Sequence, residues 1–386
     1  MTRAGAKGAA GREAYREAGV DVAAGDHAVE LMRAHVESTR RPEVVGGLGG
    51  FGGAFTIPAG YREPLIVAST DGVGTKTELA VALRRFDTIG VDLVAMCADD
   101  VVCCGAEPVA FLDYVAVGRV IPETVAEMVG SIATGCRDAG CALVGGETAE
   151  HPDLMTNDAF DLSGCCIGVV ERDEVIDGSA VRAGDTILGL ASTGLHSNGY
   201  SLVRSLLAQW ELDLGEPYQA RLRRSLGDAE TDLILAAAPN EAMATLGEIL
   251  LTPTRIYAKA VLAARAAARS LALDLHGVAH ITGGGLPGNV PRALPEGLAA
   301  RLDPASWAMP SVMRLFGALG GLDDAEVRAI FNGGLGMVIM LPGGAVAAAV
   351  EAIAAFGIEA MVVGEVITLD ATGGARYVEG PLEDAG

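Results

Sequence analysis

The sequence predicts a two-domain α/β protein of α+β character, and three observations lead there. Short apolar runs bounded by turn residues alternate with helical patterns through both halves of the chain. At 386 residues, the chain exceeds what a single core usually organises. Near its middle a polar stretch with two turn signals, ERDEVIDGSAVRAGD, breaks the alternation. The expected division is an N-terminal extension over residues 1–14, a first domain over 15–172, a second over 173–370 and a tail over 371–386. Both ends are rich in Gly, Ala and acids without an apolar period, so disorder is expected there.

Taken in order, Ala28, Leu31, Met32 and Val36 share a helical face, which predicts a helix over Asp26–His35 that gives way to the glycine stretch Gly46–Gly53. Leu65–Ser69 reads as a buried strand between Pro64 and the turn-forming Asp71-Gly72. A helix over Thr88–Cys104, closed by Gly105, leads to a strand over Ala110–Val117. Pro122 suits the first turn of the next helix, which runs to Gly140, and strands are expected at Ala142–Val144 and Cys165–Val170. Beyond the polar stretch come a strand at Ile187–Ala191, helices at Tyr200–Ala208 and Arg255–Ala268, a strand at Gly336–Leu341, a helix at Ala345–Phe356 and a strand at Ala360–Ile367.

Composition narrows the function. Lys and Arg number 28 against 50 Asp and Glu, and a net charge of −22 repels nucleic acid and anionic membrane surfaces. An anionic substrate then needs a local device for its charge. No run of ~18 apolar residues and no apolar N-terminal segment supports a membrane span or a secretory signal, so a cytosolic protein is expected. The seven cysteines contain no C-x-x-C and are expected to be reduced, mostly buried small hydrophobes.

Chemistry gathers in glycine-rich turns. Gly47-Leu48-Gly49-Gly50-Phe51-Gly52 satisfies G-x-G-x-x-G, yet Pro58 forbids the helix a dinucleotide fold needs, and the segment reads as a flap or a plain connector. Asp71, Gly72, Gly74, Thr75 and Lys76 form a candidate phosphate loop; Thr75 stands where a true P-loop demands glycine. In this reading backbone N–H groups and Lys76 meet phosphate, and Asp71 holds a cation. Asp99-Asp100 interrupts an apolar helix, and Gly145-Gly146-Glu147 reads as a turn after a strand. Asp71, Asp100 and Glu147 are therefore candidate Mg²⁺ ligands around a polyphosphate, with Gly145 and Gly146 beside it. In the second half His196, Ser197 and Asn198 precede a helix, and His280, Thr282, Gly283 and Asn289 surround a triple glycine. Each has a plain alternative: solvated acids, a turn lysine, a surface histidine.

The segments TRRPEVVGGLGGFGG, STDGVGTK, DTIGVDLVAMCADD, LVGGETAE, STGLHSNGYSLVR, LTPTRIYAK, HITGGG and FNGGLGM occur in an order that resembles the aminoimidazole ribonucleotide synthetase family, over about Tyr15 to Ile367. The resemblance implies a two-domain synthetase fold, with N-terminal sheets of two protomers joined into a barrel across a homodimer. It also implies ATP-dependent closure of formylglycinamidine ribonucleotide to aminoimidazole ribonucleotide in purine synthesis. By carry-over Asp71, Lys76, Asp100 and Glu147 match the family's nucleotide and metal positions, with ATP and Mg²⁺ as cofactors. His196 is the expected proton shuttle and Lys76 the expected phosphoryl-neutralising group, while Ser197, Asn198, His280, Thr282, Gly283 and Asn289 are expected at the substrate. Asp99 departs from the family, where asparagine is usual.

Overall fold

The structure, a computed structural model, describes residues 20–47 and 49–382; the expected extension over 1–14 lies outside them. Asp21 starts helix α1 (Val22–Glu37) by accepting from the N–H groups of Ala23 and Ala24, four residues before the expected start. The glycine stretch is the tip of a small antiparallel hairpin of β1 (Val44–Val45) and β2 (Ala54–Phe55).

The first sheet holds β3 (Pro64–Gly72), β4 (Glu107–Val117), β5 (Ala142–Glu150) and β6 (Phe160–Glu171) in the order β3-β6-β4-β5, with only β4 and β5 parallel. All four strands run longer than expected, and in β3 and β5 the added residues are the expected turns. Asp71 and Gly72 still pair with β6, and Gly145, Gly146 and Glu147 pair with β4 inside β5 rather than forming a turn. Local Gly and Asp signals argued for turns, but ladder pairing with long neighbouring strands overrides them. One row across the sheet reads Asp71, Gly164, Asp113, Gly146. Helices α2 (Thr77–Leu83), α3 (Ile89–Cys103) and α4 (Pro122–Ala139) follow from this half of the chain. α3 and α4 cover one face of the sheet, burying Leu93, Val101, Phe111, Ile132 and Leu162 completely. The opposite face carries Ile66 at 55% and Tyr114 at 41% exposure.

The second sheet is β12-β9-β11-β7-β10-β8, formed by β7 (Thr186–Ala191), β8 (Gly277–His280), β9 (Leu298–Leu302), β10 (Leu335–Leu341), β11 (Ala360–Thr368) and β12 (Tyr377–Glu379). Every residue of β10 is buried, which explains its uninterrupted apolar run in a strand covered on both faces. Met337, Ile339 and Leu341 meet helices α6 (Ala258–Ser270) and α7 (Val346–Ala354), while Val338 and Met340 meet Ile281, Leu286 and Val290. Helix α5 (Tyr200–Gln209) lies outside this layer. β8, β9 and β12 escape sequence reading because three to five residues give no alternation to detect. The expected disordered tail over 371–386 is corrected as far as residue 382: β12 pairs with β9 at the sheet edge, and Glu379 accepts both guanidinium contacts of Arg328. Val203 of α5, Tyr218 and Phe316 join the same hydrophobic cluster as Leu93 and Phe111, so apolar packing crosses the polar stretch between the two sheets.

Candidate active site

Helix α3 builds the site. Its apolar sequence carries Asp92, Asp99 and Asp100, and the seven-residue spacing puts the first two on one face, where both are fully buried. Asp92 pairs with the Lys76 ammonium at 2.9 Å and accepts from the Thr254 amide at 2.8 Å and hydroxyl at 2.5 Å. Lys76 also donates to the carbonyls of His196 at 3.0 Å and Thr252 at 2.8 Å, so its three protons are all engaged. Burial pulls its pKa down and Asp92 opposes that pull. Lys76 is therefore no phosphate contact here: its fully buried ammonium ties three loops together. Asp99 accepts from the Tyr257 amide at 2.8 Å, and burial pushes its carboxyl up to about 7.

One residue further round the helix, Asp100 emerges. Its carboxylate meets His280 Nδ1 at 2.9 Å and keeps 41% of its side-chain surface exposed. The Ser69 hydroxyl lies 3.5 Å away. Burial lowers the His280 pKa, but its bond to Asp100 and the charges of Asp99, Asp100 and Asp71 outweigh that and raise it. A cleft of about 340 Å³ opens here between the two sheets, lined by Ser69, Asp100, His280, Asn289 and Arg292.

Asp71 stands two residues beyond Ser69 on β3, about 7 Å along the strand. Asp71 and Asp100 together offer exposed oxygen donors, which suits Mg²⁺, an ion that takes one or two carboxylates and completes its shell with water and phosphate. Glu147 is not with them: β3 and β5 are opposite edges of the sheet, three strand spacings or about 14 Å apart. Among the described residues no three His, Cys, Asp or Glu side chains gather closely enough for a metal. The expected triad is thus a pair within one chain, and Gly145 and Gly146 lie beside Glu147 at the far edge. Gly72, Gly74 and Thr75 stay with Asp71 at the end of β3, where Gly74 adopts φ +71°.

His196 is 1% exposed and adopts φ +61°. Its Nε2 accepts from the Thr193 amide at 3.2 Å and Nδ1 has no partner among the described residues. Burial first, then the positive charges of His280, Lys76 and Arg255, hold its pKa well below the usual imidazole range. The ring is held neutral, packs 6.1 Å from Tyr257 and is not among the residues lining the cleft, while its backbone carbonyl accepts from Lys76. The Ser197 hydroxyl is buried without a partner, and Asn198 lies against Gly283, so the two glycine loops meet. Thr282 donates to Asn289 at 3.4 Å, and the Asn289 amide donates to the carbonyls of Thr282, Gly283 and Gly285. Asn289 therefore shapes the triple-glycine loop instead of reaching out to a ligand.

Sequence reading missed Asp92, Asp113 and Arg292. An acid in the first turn of an apolar helix, and an arginine in the run Asn289-Val290-Pro291-Arg292 on an acidic protein, were the available signals. Asp113 gave none, being one acid among the apolar residues of β4.

Residues 59–170 match the N-terminal domain of AIR synthase related proteins and residues 182–373 the C-terminal domain. The phosphoribosylformylglycinamidine cyclo-ligase of Thermosynechococcus vestitus is 50% identical over 353 residues, covering 92% of this chain and 96% of that protein. The enzyme of the same name from Geobacillus kaustophilus is 46% identical over 356 residues, covering 92% and 95%. Two solved structures share the fold: thiamine-monophosphate kinase from Stenotrophomonas maltophilia, TM-score 0.59 at 16% identity over 92% of this chain and 95% of that one, and the hydrogenase maturation protein HypE in complex with ATP, TM-score 0.57 at 18% identity over 92% and 90%. With both family domains present and near-half identity across most of its length, the chain belongs to the phosphoribosylformylglycinamidine cyclo-ligases of the AIR synthase family.

Proposed function

We propose that the chain closes the imidazole ring of formylglycinamidine ribonucleotide in the cleft between its sheets, using ATP and releasing aminoimidazole ribonucleotide, ADP and phosphate in purine biosynthesis. The observation that carries the placement is the Asp100–His280 pair at the mouth of a cleft that also presents Arg292. The formamide oxygen is a poor leaving group. Its oxygen takes the γ-phosphoryl group, the bond from that phosphorus to ADP breaks, and an iminophosphate results. The neighbouring amidine nitrogen then bonds to the formyl carbon, the C–O bond breaks, and phosphate departs with the former amide oxygen. Both reacting ends belong to one molecule, so orientation supplies much of the acceleration, up to ~7–11 kcal/mol in ideal cases.

The chain's own residues supply that orientation. Arg292 is the cation available to the ribose phosphate, offsetting the acidic surroundings. Asp71 and Asp100 would hold Mg²⁺, which supplies charge neutralisation for phosphoryl transfer. His280, held by Asp100 and lining the cleft, is the titratable group nearest the chemistry and is better placed than the buried His196 for the proton-handling role.

A homodimer is part of this reading. The open face of the first sheet exposes Ile66 and Tyr114 beside half-buried Leu112 and Ile167, and a second copy of the sheet would cover it. Glu147, stranded on the far edge from Asp71, then has a route to a shared site only through the partner. No helix among the described residues is long and apolar enough to cross a membrane, and seven unpaired thiols accord with the reducing cytoplasm. The test is an assay for ATP-dependent formation of the aminoimidazole, read as a diazotised dye. Product and ADP are expected in equal amounts, and ADP without aminoimidazole would overturn the assignment.

A further inference from the structure

A pocket separate from the cleft lies toward the other end of α3. Ile89, at the start of that helix, is about 16 Å of helix rise from Asp100 at the cleft. Phe86, just ahead of Ile89, lines a pocket of about 260 Å³ together with Val125 and Met128 of α4 and Phe160 of β6. Phe86 and Phe160 meet edge to face with ring centroids 5.6 Å apart, which gives the pocket an aromatic wall. Val117 and Phe160 pair across the ladder in step with buried Val115 and Leu162, so the pocket is on the helix-covered side of the first sheet. The face that a second copy would cover is the opposite one.

Two cations border this pocket, Arg84 and Arg119. On a chain of net charge −22, every other described arginine and lysine has an ion-pair or hydrogen-bond partner for its side chain. These two have none among the described residues. Arg84 follows the last turn of α2 with φ +50°, a left-handed conformation that glycine normally takes at a helix end. Its neighbour Arg85 pairs with Asp87 and Glu248, so acids are within reach of this segment, yet Arg84 pairs with neither. Asp158 is the only acid among the lining residues and also leaves both arginines unpaired. A strained residue whose charge the protein does not compensate points to a ligand that does. Helix α4 adds to the attraction: Ile121 at its N-cap offers no side-chain acceptor, and Thr124 of its first turn lines the pocket.

We infer that this pocket binds a small aromatic phosphate monoester. Its ring packs against Phe86, Phe160 and Met128, and its phosphate meets Arg84, Arg119 and the first turn of α4. Two guanidinium groups and a helix N-terminus suit a dianion, since each guanidinium offers paired N–H donors to phosphate oxygens. The volume falls just below the roughly 300 Å³ at which drug-sized sites begin, so a single ring fits and a nucleoside triphosphate does not. The cleft has its own cation in Arg292, so the two phosphate positions are separate.

The test is titration calorimetry of the full chain with phenyl phosphate, read as binding alone. The unaltered protein should bind phenyl phosphate about tenfold or more tightly than inorganic phosphate or phenol, because only the ester engages both the cations and the aromatic wall. Arg84→Gly suits the left-handed backbone and removes one charge, and Arg119→Gln removes the other at an exposed position. Each should weaken phenyl phosphate about tenfold or more with the urea midpoint held. Arg292→Ala, in the cleft, should leave the affinity unchanged. Undiminished binding in either Arg84→Gly or Arg119→Gln overturns the inference, as does a loss in Arg292→Ala or no binding by the unaltered chain. Equal affinity for inorganic phosphate overturns it too, because the aromatic wall would then have no part in recognition.

Discussion

Asp99 and Asp100 are chain neighbours on one helix, yet they live in different chemistries. The Asp92–Asp99 face of α3 is sealed: Lys76, Thr254 and the Tyr257 amide meet it, and it fastens the segment Thr252–Tyr257 to the first domain's helix. A single residue's rotation, about 100° round the helix, carries Asp100 into an open cleft opposite His280. The same residue type therefore holds the fold on one face and faces substrate on the next. Burial decides which: a sealed carboxylate must find partners, whereas an open one is free to change them.

The comparison breaks most forcefully at the sealed face. Lys76→Met strips Asp92 of its counter-charge at a fully buried position, and breaking such a buried pair typically costs about 3–5 kcal/mol. Urea denaturation should show a loss of that order, and added Mg²⁺ or ATP should not selectively correct it. On the open face the pattern inverts. Asp100→Asn should lower kcat ~10²-fold and raise the Mg²⁺ concentration needed for activity, with the urea midpoint little changed. Loss of stability without a change in Mg²⁺ dependence would place Asp100 with Asp92.

Arg292 sharpens the picture of the cleft. Charge-assisted bonds to a phosphate contribute roughly 1.5–3 kcal/mol, so Arg292→Ala should raise KM for the ribonucleotide about 10- to 100-fold and change kcat less. Steady-state kinetics at saturating ATP check this.

A smaller effect comes from Asp113. Its folded pKa of about 7 stands above the unfolded carboxyl value, so the native state binds the extra proton between roughly pH 4 and 7. Its favourable contribution is present in acid and is lost as pH rises through that window. Thermal midpoints measured from pH 5 to 8 should therefore fall less steeply in Asp113→Asn than in the unaltered chain. The smallest effect is expected at Asp99. Asp99→Asn keeps the acceptor for the Tyr257 amide and removes a carboxyl whose ionised form burial disfavours, so stability at neutral pH should hold or rise slightly.

Much of the fold was legible because the long apolar strands and capped helices announce themselves locally: Pro122 and Gly140 bracket α4 as expected. The ends of β3 and β5 were not, because Asp71-Gly72 and Gly145-Gly146 carry turn chemistry that only partner strands override. The site divided along the same line. Asp100 and His280 were singled out separately, and the structure joins them at 2.9 Å. Lys76 and His196 invite a reactive reading from their glycine-rich loops, whereas the fold buries both and spends the Lys76 ammonium on the His196 carbonyl. Gly146 looked like a phosphate-loop glycine, and its packing reason, room for Asp113, lies on another strand.

The most direct measurement follows the oxygen atom. Formylglycinamidine ribonucleotide labelled with ¹⁸O at its formyl group is turned over with unlabelled ATP, and the released phosphate is weighed by mass spectrometry. The account predicts one labelled oxygen per phosphate, formed in step with the aminoimidazole and at a rate ~10² lower for Asp100→Asn. Unlabelled phosphate accompanying ring closure would contradict it.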